Sequence, residues 1–479
     1  MSVQVFLQGK LIGINEFVTA PAADGLPAGE LLVRGRCYWA ALLAEVLPRA
    51  LLEQLNLARI LLGFSGGGAF LIVLPQESLD AAEQFLGAAS SSAASISGGS
   101  VRLVWGSTEN LGDWSIVRKR LHDSLWPREH TDPPAQDAFR PHLESASAPS
   151  DSYFESVARR AKDARSAAWS PEAPAAIEFD EGKLSWPIAG PPEGVTLPRH
   201  VALVDDGSSA ASTAVLASRS TGRESWGVLR GDVDGFAVRL RRCASVEEQI
   251  QLSVLFRQFF AGELELQCSM ADFWRRVTIL YAGDDDFAVY GSWDALLLLA
   301  REMQRLFSRF CEAHLKDLPG PEGKTIAMSL ELAPELDTPL SLVYEAATRS
   351  LEAAKSADKD CFYVFGKTVE WRQLQHIHDL KEMMLRMVRD FGSPPQFLEE
   401  LSSFYRDKPA SGRPERSWRY HRRLGVVLGA HKDRELQRLR TALISDIVGK
   451  GAAQVKLRPA GRVAAEWARM LAGPAAGTE

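Results

Sequence analysis

Tyr281-Ala282-Gly283-Asp284-Asp285-Asp286-Phe287-Ala288-Val289-Tyr290-Gly291-Ser292-Trp293-Asp294 is the stretch on which the reading of this chain turns. Val277-Thr278-Ile279-Leu280-Tyr281 has the β-branched and aromatic content of a strand, and Phe287-Ala288-Val289-Tyr290 reads as its partner. Between them Gly283 to Asp286 forms a tight acidic turn, and residues 293–311 continue with apolar residues at helical spacing. About fifty residues upstream, Arg230-Gly231-Asp232-Val233-Asp234-Gly235-Phe236 places two aspartates directly after the strand-like run 225–230. In a palm-type sheet these two positions lie on adjacent strands, so Asp232 is expected to converge with Asp285 or Asp286. Converging carboxylates are hard oxygen ligands for Mg²⁺, which also takes phosphate oxygens. Two metals so held activate a ribose hydroxyl and stabilise the pyrophosphate that leaves in a nucleotidyl transfer. The plainer reading of the turn alone is a solvated hairpin tip, because aspartate tolerates turn geometry.

Outward from this hairpin the chain divides by composition. Residues 201–368 order their elements as a strand near 225–230, a helix over 246–260, the hairpin, the helix 293–311, a strand near 325–332, a helix over 340–355 and a strand at 361–365. Residues 1–145 repeat the theme, with a strand at 3–7, a helix over 38–55 and a hairpin of two apolar runs, 60–64 and 69–74, around Ser65-Gly66-Gly67-Gly68. A helix over 77–88 follows, and the Ser/Ala/Gly-rich run 90–100 reads as a loop before a strand at 101–105. The two segments look like distant copies of one α/β unit. Residues 146–200 are rich in Pro, Ala and Ser and read as linker, apart from a helical stretch near 153–168. Residues 369–479 are helical and basic in excess, with Arg413, Arg416, Arg419, Arg422 and Arg423 around Trp418, Tyr420 and His421. Mixed cations and aromatics suit RNA contacts, although a solvated helix face has the same composition.

The 479 residues carry a formal net charge of -6, which argues against a large uniform nucleic-acid surface and leaves room for local basic patches. Five dispersed cysteines without a CxxC pair suit reduced thiols better than a disulfide framework or a zinc ribbon. No apolar run reaches the roughly 18–20 residues of a membrane helix. The N-terminus lacks the basic and apolar regions of a signal peptide, so a cytoplasmic location is expected. Gly320-Pro321-Glu322-Gly323-Lys324-Thr325 ends like a P-loop, but Leu318 stands where its first glycine is required.

The hairpin resembles the GGDD segment of the large polymerase-cyclase subunit of type III CRISPR effector complexes, most nearly the subtype III-A form. Gly231 to Gly235 resembles that family's first palm strand, and Ala354-Lys355-Ser356 through Lys359 resembles the lysine segment it shares with diguanylate cyclases. In the first half, Gly13-Ile14-Asn15-Glu16-Phe17-Val18 resembles the family's "GIQDFI", Leu32-Val33-Arg34-Gly35-Arg36 its "ALRGR", and Phe64-Ser65-Gly66-Gly67-Gly68 its glycine turn. The series runs in order from about residue 8 to beyond 400. Several features depart from the family. The chain begins at the first palm strand, where the family carries an HD nuclease domain, so nuclease activity is not expected. His122-Asp123 and His378-Asp379 read as chance HD dipeptides. The four-cysteine zinc cluster between the palms is missing, so 146–200 is read as its remnant and no zinc is expected. Lys10 stands where a first-palm carboxylate belongs, and the turn reads GDDD rather than GGDD.

The resemblance implies an α/β (α+β) fold with two ferredoxin-like, GGDEF-like palm domains facing each other and a helical C-terminal domain. It implies an ATP-consuming nucleotidyltransferase that makes cyclic oligoadenylates with Mg²⁺ or Mn²⁺, in a complex with crRNA, target RNA and other subunits, away from membranes. The expected catalytic and metal residues are Asp232, Asp285 and Asp286, with the Val233 carbonyl. The expected nucleotide contacts are Ser65, Gly66, Gly67 and Gly68 from the first palm, with Gly283, Asp284 and Lys355 from the second. Arg416, Arg419 and Arg422 are the expected RNA or partner contacts. Asp284 either repels a triphosphate or recruits metal. The rival readings are a catalytically silent scaffold and a transferase with another product.

Overall fold

The computed structural model describes residues 3–130, 151–189, 194–357, 359–406, 417–429, 433–448 and 458–473. Four strands, β1 (Gln4–Ile12), β2 (Leu62–Gly66), β3 (Ala69–Pro75) and β4 (Arg102–Glu109), form an antiparallel sheet in the order β2-β3-β1-β4. Three short strands, β5 (Ser166–Trp169), β6 (Glu178–Phe179) and β7 (Leu184–Pro187), make a second, small sheet. The largest sheet contains β8 (Trp226–Val233), β9 (Val277–Ala282), β10 (Asp286–Ser292), β11 (Ile326–Leu332), β12 (Cys361–Val364) and β13 (Lys367–Glu370), in the order β13-β12-β11-β8-β10-β9. Its inner four strands, read β9-β10-β8-β11, repeat the order of the first sheet. The internal repeat read from the sequence is therefore present in the topology.

Alternation along the strands explains how the halves pack. In β10, Phe287 and Val289 enter one core with the helices Val246–Arg257 and Trp293–His314, while Ala288 and Tyr290 enter a second core with the first half. A sheet buried on both faces has no polar alternation, which is why these strands read as continuous apolar runs. The element that fills the space between the sheets is the helix Glu30–Gln54, longer at its start than the periodicity 38–55 indicated and buried nearly all round. Gly35 on that helix lies so close to the helix Asp151–Ala161 that a Cβ there would fall 1.8 Å from the Phe154 carbonyl oxygen. Glycine is required by space at this crossing. The C-terminal helices join the core of the large sheet, with Leu374, Ile377, Val463 and Trp467 buried beside its strands.

Two expectations are corrected. The run 90–100 is not a loop for most of its length: the helix Leu79–Ile96 continues into it, with Ala82, Leu86, Ala89 and Ala93 turned inward, Ser90 donating to the Leu103 carbonyl (2.9 Å) and Ser91 and Ser95 exposed. Nor is 151–189 loosely packed linker. Phe154, Val157, Ala167, Trp169, Ile177 and Phe179 are buried in the first-half core. Alanines that read as linker composition in the sequence, Ala158, Ala161, Ala164 and Ala167 among them, are here the buried small residues of a helix and a three-stranded sheet that seat against Glu30–Gln54.

Candidate active site

Asp286, the first residue of β10, lies directly opposite Asp232 on β8. The hairpin is closed by the Gly283 amide donating to the Asp286 carbonyl (2.8 Å), and the Val233 amide holds the Asp285 carbonyl (2.9 Å). Gly283 is needed for room, since a Cβ there would meet Asp286 Oδ1 at 2.4 Å. By strand alternation Asp232 and Asp286 share the face of Arg230, Ala288 and Tyr290, the face that packs against the first half.

Each carboxylate has a cationic neighbour. The Lys355 ammonium donates to Asp232 Oδ1 from the end of the helix Leu340–Ala357. Asp286 Oδ2 accepts from the Tyr281 hydroxyl (2.7 Å) and lies 3.8 Å from the Arg230 guanidinium. Arg230, buried between the rings of Tyr281 and Tyr344, donates to the Tyr281 hydroxyl (2.6 Å) and to Thr348 Oγ1. Burial pushes all three carboxyls up. For Asp232 the Lys355 ammonium opposes the shift, and for Asp286 Arg230 and the Tyr281 hydroxyl do. Asp285 is held well above the carboxylate range by burial and then by Asp286, Asp232 and Asp284. Ionising all three carboxyls together is therefore unfavourable unless further positive charge is supplied.

That observation decides whether a metal fits. No group of three or more His, Cys, Asp or Glu among the described residues is arranged to hold an ion by itself. Mg²⁺ bound through substrate phosphates needs only one or two protein carboxylates. Asp232 and Asp286, facing across the register with Asp285 beside them, supply that set, and a cation would relieve their mutual repulsion.

The other expected residues separate into two groups. Gly67, Gly68 and Gly283 line a cavity of about 190 Å³ together with Asp286, Tyr281 and Asn15. Ser65 does not face it. Its buried hydroxyl donates to Glu45 Oε2 (3.0 Å) and accepts from Arg49 (3.0 Å), and it lines a different, 1040 Å³ cavity. Ser65 is therefore tied into a buried Glu45–Arg49–Arg257 charge cluster and faces a different cavity from Gly67 and Gly68. Asp284 has no positive φ and so needs none of the conformational freedom a glycine would bring. Its Oδ1 lies 3.0 Å, and the Arg257 guanidinium 3.1 Å, from where a Cβ on Gly66 would sit. Asp284 thus packs against the turn of the first hairpin near Arg257, with its Oδ1 buried and without a hydrogen-bond partner. In the first half, Lys10 pairs with Ala69 at the start of β3, as Asp232 pairs with Asp286, and its ammonium lies 3.2 Å from Glu129. The strand pair β1–β3, the first-half counterpart of the site, has no carboxylates.

Asp234, part of the same strand-end motif, is structural: its Oδ2 accepts from Thr325 Oγ1 (2.8 Å) and the Asp360 amide (2.9 Å). Lys324 of the P-loop look-alike donates to the Leu318 carbonyl (2.6 Å). His122 packs on Trp126, and His378 lies beside Lys381 and Trp467. Arg419 and Arg422 are exposed on the helix Ser417–Leu428, and Arg416 lies outside the described residues. Sequence reasoning missed Arg230 and Arg257. The one available signal was a charged residue inside an apolar strand, and it points to Arg230 alone.

Residues 225–363 match the family model described as Cas10/Cmr2, second palm domain. Two curated proteins, both described as the CRISPR system single-strand-specific deoxyribonuclease Cas10/Csm1 (subtype III-A), are similar in sequence. The one from Thermococcus onnurineus is 25% identical over 167 residues, 32% of this chain and 20% of that protein. The one from Methanocaldococcus jannaschii is 30% identical over 103 residues, 19% of this chain and 13% of that protein. The matched stretch thus spans a fifth or less of these relatives. Among solved structures, the Csm1-Csm4 subcomplex of the type III-A CRISPR-Csm interference complex superimposes with a TM-score of 0.72 at 16% identity, over 98% of this chain and 70% of that one. The Csm1-Csm4 cassette in complex with cA3 gives 0.71 at 15% identity, over 98% and 70%. Residues 225–363 are thus a palm domain similar to the second palm of the Cas10/Cmr2 family, carried on a chain whose fold is that of the Csm1 subunits of type III-A CRISPR complexes.

Proposed function

We propose that this chain is the large subunit of a crRNA-guided type III CRISPR complex and, once target RNA is bound, joins ATP into cyclic oligoadenylates. The observation that carries the reading is the pair Asp232 and Asp286, facing across adjacent palm strands with Lys355 at their edge. It is supported by the fold shared with Csm1 chains solved with one ATP and with cA3 and cA4. In the reaction the 3′-hydroxyl of one ATP attacks the α-phosphorus of another, the new P–O bond forms as the bond to pyrophosphate breaks, and the hydroxyl proton is lost.

Asp232, Asp285 and Asp286, with the Val233 carbonyl, would hold Mg²⁺ or Mn²⁺, which supplies charge neutralisation at the phosphates and acidifies the hydroxyl. Lys355 leaves Asp232 for a phosphate oxygen when substrate arrives. Arg230 and Tyr281 fix the Asp286 carboxylate toward the cleft. Gly67 and Gly68 border the nucleotide beside the aspartates on the first-half side, where absent side chains allow close approach. Arg419 and Arg422 contact RNA or a neighbouring subunit. Neither His-Asp dipeptide has metal-ligating neighbours among the described residues, so we expect no DNA cleavage from them.

The second reading is a silent scaffold, favoured by the internal pairing of Asp232 with Lys355 and of Asp286 with Tyr281. Labelled ATP and metal, given to the complex with cognate target RNA, separate the readings. Cyclic products support synthesis, another conjugate a different transferase, and unchanged ATP a scaffold.

A further inference from the structure

Away from the hairpin, at the other end of β10, a cleft of 430 Å³ opens between the start of the helix Glu30–Gln54, the end of the helix Asp151–Ala161 and the segment 208–212. Its floor holds Arg34 and Tyr290, its rim Arg159 and Lys162. Tyr290 is four residues along β10 from Asp286, about 13 Å at ~3.3 Å per residue.

Arg34 is the unusual member. It is 3% exposed, its Nε has no hydrogen-bond partner, and no carboxylate lies within ion-pairing distance among the described residues. It shares the cleft with the Tyr290 hydroxyl, which is buried without a hydrogen-bond partner and whose pKa burial raises and Arg34 pulls back. Neither acid of the cleft forms an ion pair with Arg34, although Glu30 stands one helical turn before it and acts on the same Tyr290 hydroxyl. Glu30 accepts from the Thr213 amide (2.9 Å) and hydroxyl (3.2 Å), and Asp163 is largely solvent-exposed, 3.8 Å from Lys162. A buried guanidinium with an unpartnered Nε and no ion pair is incompletely satisfied, and an anion delivered into the cleft would complete it.

We propose that this cleft is a binding site for a phosphate-class oxyanion, with Arg34 as its buried cation and Lys162 as its entrance. The planar guanidinium offers paired donors that match two oxygens of a phosphate, Arg159 and Lys162 add positive charge, and the cleft is large enough for a phosphate monoester. The site ties together the helix Glu30–Gln54, the segment after residue 150 and strand β10 of the large sheet. It is independent of the aspartate cluster and of the reaction proposed there.

Calorimetric titration of the full chain with inorganic phosphate, and separately with AMP, tests it. Saturable binding of one equivalent is expected, weakened about tenfold or more in Arg34→Met and several-fold in Lys162→Ala, where tenfold corresponds to about 1.4 kcal/mol. Tighter binding of AMP identifies a nucleotide phosphate as the ligand, and equal binding identifies free phosphate. Absence of saturable binding of both probes to the wild type overturns the site, as does wild-type affinity in Arg34→Met. Should Arg34→Met fail to fold, unchanged affinity in Lys162→Ala overturns it.

Discussion

Asp285 is the residue at which charge and function pull in opposite directions. Its carboxyl is raised by burial and by three neighbouring aspartates, and its backbone alone makes the described contact with β8. Asp285→Asn keeps the volume and removes the repulsion. Turnover of ATP should fall at least about a hundredfold, while the melting temperature without metal should hold or rise by an amount equivalent to about 1 kcal/mol. Parallel thermal melts and product assays check both halves of that expectation. Asp284 next to it behaves differently. Burial raises its carboxyl from 3.8 to about 6, against the pull of Arg257. Between those values the folded protein keeps a proton that the unfolded chain has released, so this group's contribution to stability is greatest at the acid end and declines as pH rises from about 4 to about 6. Asp284→Asn should flatten that part of the melting-temperature profile. Sequence alone suggests that Asp284→Gly would tighten ATP binding by removing a charge from the triphosphate. With Asp284 seated against Gly66 and Arg257, the expected result is a lower melting temperature from a lost inter-hairpin contact.

At the scale of elements, packing decides what the sequence could show. Gly35→Ala places a methyl group 1.8 Å from the Phe154 carbonyl, so the helix pair must part. A loss of about 3 kcal/mol is expected by urea denaturation, in line with overpacked cores. Arg419→Glu with Arg422→Glu should weaken RNA binding or complex assembly while leaving the melting temperature unchanged, because both side chains are exposed. Assembly as in the wild type would make this a solvated face. The hairpin β9–β10 and strand β8 were legible because β-branched runs flank an acidic turn, a purely local signal. The convergence of Asp232 with Asp286 was legible through the palm pattern. The role of Ser65 was not, since it depends on Glu45 and Arg49, charged residues buried on a helix whose sequence shows no reason to bury them. The seating of 151–189 was equally hidden: alanines that pack because a neighbouring helix offers Gly35 look the same in sequence as alanines in a linker.

For the whole molecule, the two sheets share one strand order, yet only the second has kept acids at the strand pair that faces the cleft, Asp232 and Asp286 against Lys10 and Ala69. A symmetric fold has thus become an asymmetric site, with the first half contributing glycines and a closing surface. The most direct test is to incubate the assembled complex, with cognate target RNA and Mg²⁺ or Mn²⁺, with labelled ATP, and to resolve the products by mass. The account predicts new cyclic oligoadenylates and stoichiometric pyrophosphate from the wild type and neither from Asp232→Asn. Unchanged ATP in the wild type, or equal product from Asp232→Asn, would contradict it.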